Sequence, residues 1–126
     1  CKLADKLRSF IPPFNVNTIS VLMGVKVIRN RSIIEEAIKK LKIERERLIN
    51  ALNMISGVKP FNSKANFILF KTEMNVNPIY KYLYRSKVFV RRFNEPPLNN
   101  HYLRVTVGTP DMNDVFIDVL KRALSQ

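Results

Sequence analysis

The sequence has few of the residues from which self-contained active sites are made. Its 126 residues include one cysteine, one histidine, three glycines and no tryptophan. A lone thiol excludes an internal disulfide framework and a thiolate metal cage, and a reducing cytoplasm is the expected setting. Gly24, Gly57 and Gly108 are isolated, so no glycine-rich loop can cradle a phosphate. No metal-ligand spacing occurs around His101 or the carboxylates, and no metal is expected. Apolar runs are short and broken by charge, well under the roughly 20 residues of a membrane-spanning helix. The opening Cys1-Lys2-Leu3-Ala4-Asp5-Lys6-Leu7-Arg8 is mixed in charge and periodic, unlike a secretory signal. Acid is also scarce: 10 Asp and Glu against 22 Lys and Arg give a net charge of +12. That excess suits a polyanion, an anionic membrane surface or a basic domain docked on a larger parent.

What is present is globular. The hydrophobic share is 46%, and the length suits one domain with one core. A chain that opens at Cys1 in mid-pattern is expected to be a piece of a longer polypeptide.

Lys2 to Phe10 reads as the end of a helix stopped by Pro12 and Pro13. Asn17 or Thr18 caps a second helix carrying Ile19, Leu22, Met23, Val25 and Ile28. Ser32 and Glu35 form a capping box for a long helix to about Ile55. Its apolar stripe is Ile34, Ile38, Leu41, Leu48, Leu52 and Ile55, and Glu44, Arg45 and Arg47 fall on its polar face. Gly57 is the expected left-handed terminator. Strands follow at Val58–Phe61, with Pro60 at a sheet edge, and at Asn66–Phe70. A helix over Pro78–Arg85 turns Ile79, Tyr82 and Leu83 inward. Val88–Arg91 and Leu103–Val107 read as strands. Thr109-Pro110 starts the last helix, with Val115, Phe116, Val119, Leu120 and Leu124 as its core stripe. The expected fold class is α+β: a small sheet with helices on one face.

Chemistry is concentrated in arginines on strands. Arg91 ends one apolar strand and Arg104 sits inside another. A guanidinium among β-branched residues either points to solvent or grips an anion through its bidentate fork. His101 reads as a polar loop residue rather than a base.

Tyr102-Leu103-Arg104-Val105-Thr106-Val107-Gly108-Thr109 resembles the C-terminal L-R-I/V-T-V-G-T signature of histidinol-phosphate aminotransferases. Arg91, thirteen residues before Arg104, matches that family's second arginine. Ser63-Lys64-Ala65-Asn66-Phe67-Ile68-Leu69, Glu44-Arg45-Glu46-Arg47-Leu48 and Pro12-Pro13-Phe14-Asn15-Val16-Asn17 match further family segments, so the resemblance spans almost the whole chain. It implies the small domain of a fold-type-I aminotransferase dependent on pyridoxal 5'-phosphate. Residues 1–17 would be the end of a linking helix and a loop from a large domain, and 18–126 the C-terminal small domain. The Schiff-base lysine would lie upstream of Cys1, leaving no catalytic residue in this chain and no cofactor on it alone. The family moves an amino group between glutamate and histidinol phosphate in histidine biosynthesis, as a homodimer. By the match Arg104 and Arg91 bind the substrate anions, with Asn66, Asn15 and Arg92 in support. Arg92 departs from the family pattern and leaves open which of the two neighbouring arginines faces the site. The same fold would serve a threonine-phosphate decarboxylase or another aminotransferase.

A free-standing basic domain that binds nucleic acid is the alternative from another class. It requires exposed aromatics on the sheet. Phe67, Phe70 and Phe89 read as core, which weighs against it.

Overall fold

The computed structural model describes residues 2–8, 10–11, 16–98 and 100–126. The element order is α1 (Lys2–Arg8), α2 (Thr18–Arg29), α3 (Arg31–Asn53), β1 (Val58–Pro60), β2 (Phe67–Thr72), α4 (Val76–Arg85), β3 (Arg91–Arg92), β4 (Tyr102–Thr106) and α5 (Pro110–Leu124). The chain divides into two compact units, 1–37 and 38–126. None of the described helices is long and apolar enough to cross a membrane.

In the first unit the side-chain oxygen of Asn17 accepts from the Ser20 amide at 2.8 Å and caps α2. Its apolar residues Ile19, Leu22, Met23, Val25 and Ile28 are all exposed. Asn30 closes α2, its amide reaching the carbonyls of Lys26 and Val27. The expected capping box does not form. α3 begins at Arg31, which puts Ser32 inside the first turn, and the Arg31 Nε takes the Glu35 carboxylate at 2.7 Å. An ion pair one helical turn apart has replaced the reach back to the cap.

The second unit holds the core. Its sheet runs β1-β2-β4-β3, antiparallel throughout, with β1 at an edge where Pro60 is tolerated. Side chains alternate, so Ile68, Phe70, Thr72, Leu103 and Val105 share one face, and each is buried. Leu48 and Leu52 of α3, Ile55 just after it, Ile79 and Leu83 of α4, and Phe116 and Leu120 of α5 join them in one cluster. Within residues 38–126 three helices therefore cover one face of an α+β sheet, and none of these three lies on the other face. Gly57 has the left-handed φ of 74° expected of it, although α3 ends four residues earlier.

Several expectations shift. Ile38 is exposed, and Arg45, assigned to the polar face, is buried with its Nη1 3.4 Å from the Ala65 carbonyl. In α5, Val115 is 54% exposed while Ile117, Asn113 and Ala123 are buried, because the helix is rotated toward the Ile117 side. The strand expected over Val88–Arg91 pairs only at Arg91–Arg92. Before Arg91 the chain peels away from β4, leaving a largely apolar cleft of about 490 Å³ that Phe89, Met112 and Val115 help to line.

Glu44, expected on the solvated face, is instead tied between helices. Its carboxylate accepts from Arg47 Nη2 at 2.9 Å and from Asn113 Nδ2 at 2.9 Å. Arg47 also pairs with Asp114 and donates to the Pro110 carbonyl at 3.1 Å. Asn113 in turn accepts from the Gly108 amide at 2.9 Å and donates to the Gly108 carbonyl at 3.1 Å. A side chain at Gly108 would meet the Met112 Cβ at 3.0 Å, so glycine suits this turn. The network bolts the start of α5, and the end of β4 just before it, to α3.

Replacing Leu48 with Ala should lower stability by about 2–5 kcal/mol, as large-to-small core changes do. Val115→Ala should stay within about 0.5 kcal/mol, as exposed sites do. Urea denaturation of both variants checks the pair. Hydrogen bonds from Arg47, then from Asn113, hold the Glu44 carboxyl below the usual carboxylate range. Its folded pKa is thus lower than its unfolded one. The stability it contributes is present above the ordinary glutamate pKa and is lost as pH falls through the lowered value. Glu44→Gln should therefore flatten the acid limb of stability against pH and weaken folding at neutral pH, measured by denaturation between about pH 3 and 7.

Candidate anion-binding site

The uncovered sheet face follows from the period of two. Leu69 stands opposite Arg104 in the β2–β4 ladder, and Arg104 stands opposite Arg91 in the β3–β4 ladder. Directly paired residues share a face, so Arg104 and Arg91 lie together on the side away from the helices. Phe67, Lys71, Tyr102 and Thr106 share that side, as does Lys59 of β1 opposite Lys71. Arg104 is half-buried and Arg91 exposed.

Like charges directly opposite each other repel, and the described residues supply no carboxylate ion pair to either arginine. Each guanidinium is carried on an aromatic ring instead. Arg104 lies 4.7 Å from the Phe67 ring centroid, and Arg91 lies 5.6 Å from that of Phe93. A ring supports the cation without using its fork of donors, so the hydrogen-bonding edges stay available for a carboxylate or phosphate. A cleft of about 360 Å³ opens beside Arg91 and Arg92, lined further by Phe93, Glu95, Pro96 and Leu98.

Arg92 is elsewhere. It pairs with Leu103, on the helix-covered face. Its Nη1 donates to Asn77 Oδ1 at 2.7 Å, and its guanidinium lies 4.8 Å from the Tyr80 ring centroid. Both partners belong to α4, and no pattern in the sequence points to them. Asn66 is exposed just before β2, and its carbonyl accepts from the Val107 amide at 2.9 Å, beside the end of β4. Asn15 lies outside the described residues. His101 is a loop residue whose Nδ1 is 3.2 Å from the Thr72 carbonyl, a contact that needs the proton on that nitrogen.

Two aromatics expected in the core are not there. Phe67 is on the uncovered face beneath Arg104, and Phe89 is 68% exposed in the segment that leaves the sheet. Only Phe70 is core, edge-on to Phe116 at 6.1 Å. Tyr102, also on the uncovered face, stacks on Phe61.

A pyridoxal phosphate site needs a lysine desolvated beside the cofactor. Every lysine whose side chain is described, from Lys6 to Lys121, is exposed. None fits that role, and no group of three or more metal-binding side chains occurs among the described residues.

Comparison with known proteins agrees with this architecture. The chain is 36% identical over 119 residues to the histidinol-phosphate aminotransferase of Ruminiclostridium cellulolyticum, covering 94% of this chain and 33% of that protein. It is 31% identical over 126 residues to the enzyme of the same name from Neisseria meningitidis serogroup B, covering 99% and 34%. It thus spans about a third of the length of these relatives. Among solved structures it matches the histidinol-phosphate aminotransferase of Clostridium acetobutylicum with a TM-score of 0.89 at 24% identity, covering 99% of this chain and 39% of that one. The L-threonine-O-3-phosphate decarboxylase of Porphyromonas gingivalis matches with a TM-score of 0.81 at 23% identity, covering 97% and 38%. These two likenesses show the fold. The family described as aminotransferase class I and II matches residues 1–120, and the chain belongs to that family.

Proposed function

We propose that this chain is the substrate-gripping small domain of a histidinol-phosphate aminotransferase. The observation that carries the reading is the cross-strand pair Arg104–Arg91, two guanidinium groups on the uncovered sheet face with no carboxylate ion pair among the described residues. Arg104 takes the carboxylate of glutamate in one half-reaction and the phosphate of histidinol phosphate in the other. Arg91 adds a second positive charge that only the phosphate needs. Both act by positioning, holding the substrate so that its amine is presented to the reacting centre. Asn66, at the β2 end of the same sheet, supports the site.

Pyridoxal phosphate and its lysine belong to the remainder of the parent polypeptide, a large domain that would precede residue 18 and pair as a homodimer. The relatives' greater length and their name support this assignment. The runner-up is a phosphate-substrate relative such as a threonine-phosphate decarboxylase, favoured by the Porphyromonas gingivalis structural match. Nucleic acid is a poorer partner for this face, since Phe67 is capped by Arg104 and Tyr102 by Phe61.

In the full-length protein Arg104→Ala should lower kcat/KM for both glutamate and histidinol phosphate. A lost charge-assisted contact is worth about 2–3 kcal/mol, or roughly 30- to 150-fold. Arg91→Ala should injure histidinol phosphate far more than glutamate. Single-turnover rates for each half-reaction measure the difference, and glutamate kinetics untouched by Arg104→Ala would refute the assignment. This chain by itself, mixed with pyridoxal phosphate, glutamate and the keto acceptor, should give no turnover above the free-cofactor background, followed by the cofactor absorbance.

A further inference from the structure

We infer that Arg92 is a positioning residue that selects which arginine of the 91–92 doublet faces the substrate. The inference rests on the proposed function. β3 is only two residues long, and both of them are arginine. A strand that short is held by little backbone pairing, and a slip of one residue exchanges the two faces. After such a slip Arg92 would stand where Arg91 now stands, so the identity of the two residues does not by itself keep the register. Two contacts to α4 distinguish the residues. Arg92 Nη1 donates to Asn77 Oδ1 at 2.7 Å, and the guanidinium plane lies over the Tyr80 ring at 4.8 Å. The Arg91 guanidinium, among the described residues, rests on the ring of Phe93 just after β3.

α4 is a firm anchor. Asn75 caps it by accepting from the Asn77 amide at 2.9 Å, and Val76, Ile79 and Leu83 are buried. The cap uses the Asn77 backbone, so the Asn77 side chain is free to accept from Arg92. On either side of β3 the backbone gives little strand pairing: residues 88–90 pair with no strand, although Val88 and Val90 pack against the core and the Phe93 carbonyl accepts from the Asn100 amide at 3.0 Å. The clamp on α4 adds to that packing the polar hold that keeps Arg92 on the helix side and Arg91 on the side of Arg104.

The test uses the full-length, cofactor-loaded protein and the variants Asn77→Ala, Asn77→Asp, Arg92→Ala and the double variant Arg92→Ala/Asn77→Ala. Asn77→Ala and Arg92→Ala should each raise KM for histidinol phosphate roughly three- to tenfold, with KM for glutamate unchanged and no further loss in the double variant. Asn77→Asp keeps an acceptor and should behave as the wild type. Arginine-selective labelling with phenylglyoxal, located by peptide mass spectrometry, reads the clamp without reference to activity. Arg91 should label faster than Arg92 in the wild type, and Asn77→Ala should raise Arg92 labelling several-fold. An unchanged KM in Asn77→Ala beside a raised KM in Arg92→Ala would make Arg92 a direct phosphate contact and overturn the inference. Equal losses for both substrates with a lowered Tm would make the clamp merely structural. Equal labelling of Arg91 and Arg92 in the wild type would show that no clamp exists. If Arg91→Ala spares histidinol phosphate, the proposed function fails instead, and labelling still decides the clamp.

Discussion

The placement of β4 between β2 and β3 is the constraint on which this structure turns. Its antiparallel ladders set Leu103 and Val105 against the helices and leave Arg104 on the far side, opposite Leu69 and Arg91. Alternation allows no compromise, because a shift of one residue would bury a guanidinium in an apolar core and expose two aliphatic side chains. The burial of Leu103, Val105, Ile68 and Phe70 thus enforces the orientation of the arginine. Packing energy, not any polar contact of its own, keeps Arg104 where an anion can reach it.

The two ends of the arginine pair are held by different means. β4 is locked by two neighbours and by the turn after it, where Asn113 satisfies both backbone groups of Gly108 and joins them to Glu44 and Arg47. β3 has one neighbouring strand and two residues, and the core packing of Val88 and Val90 before it is joined by the Arg92 side chain reaching α4. The cost of leaving Arg104 and Arg91 opposite each other is eased by Phe67 and Phe93, whose ring faces support positive charge.

Element types were largely legible because they depend on local pattern. The last helix announced itself through Thr109 and Pro110, and the Thr109 hydroxyl does accept from the Met112 amide. Asn17 and Gly57 likewise carry local rules that hold regardless of the surroundings. The capping box at Ser32 failed because Asn30 and Arg31 compete locally, and Arg31 takes Glu35 first. Phe89 failed for another reason. An apolar triplet such as Val88-Phe89-Val90 suits a strand, but β4 offers pairing only from Arg91 onward. Val115 was placed on the core stripe of α5, yet the buried Ile117 shows the helix rotated the other way.

By itself the sequence determined the α+β class, the positions of most helices and strands, and the family, through segments whose spacing is unusual enough to be specific. It also singled out Arg104 and Arg91, since a charge within β-branched residues is costly unless it has a use. Only the tertiary structure decided that these two stand directly opposite each other, that Arg92 turns to Asn77 and Tyr80, and that Glu44 and Asn113 are interior partners rather than solvated groups. The physical reason is sequence separation. Capping and periodicity act over a few residues and can be read in order, whereas strand register and the pairing of Glu44 with Asn113, 69 positions apart, exist only once the core has closed.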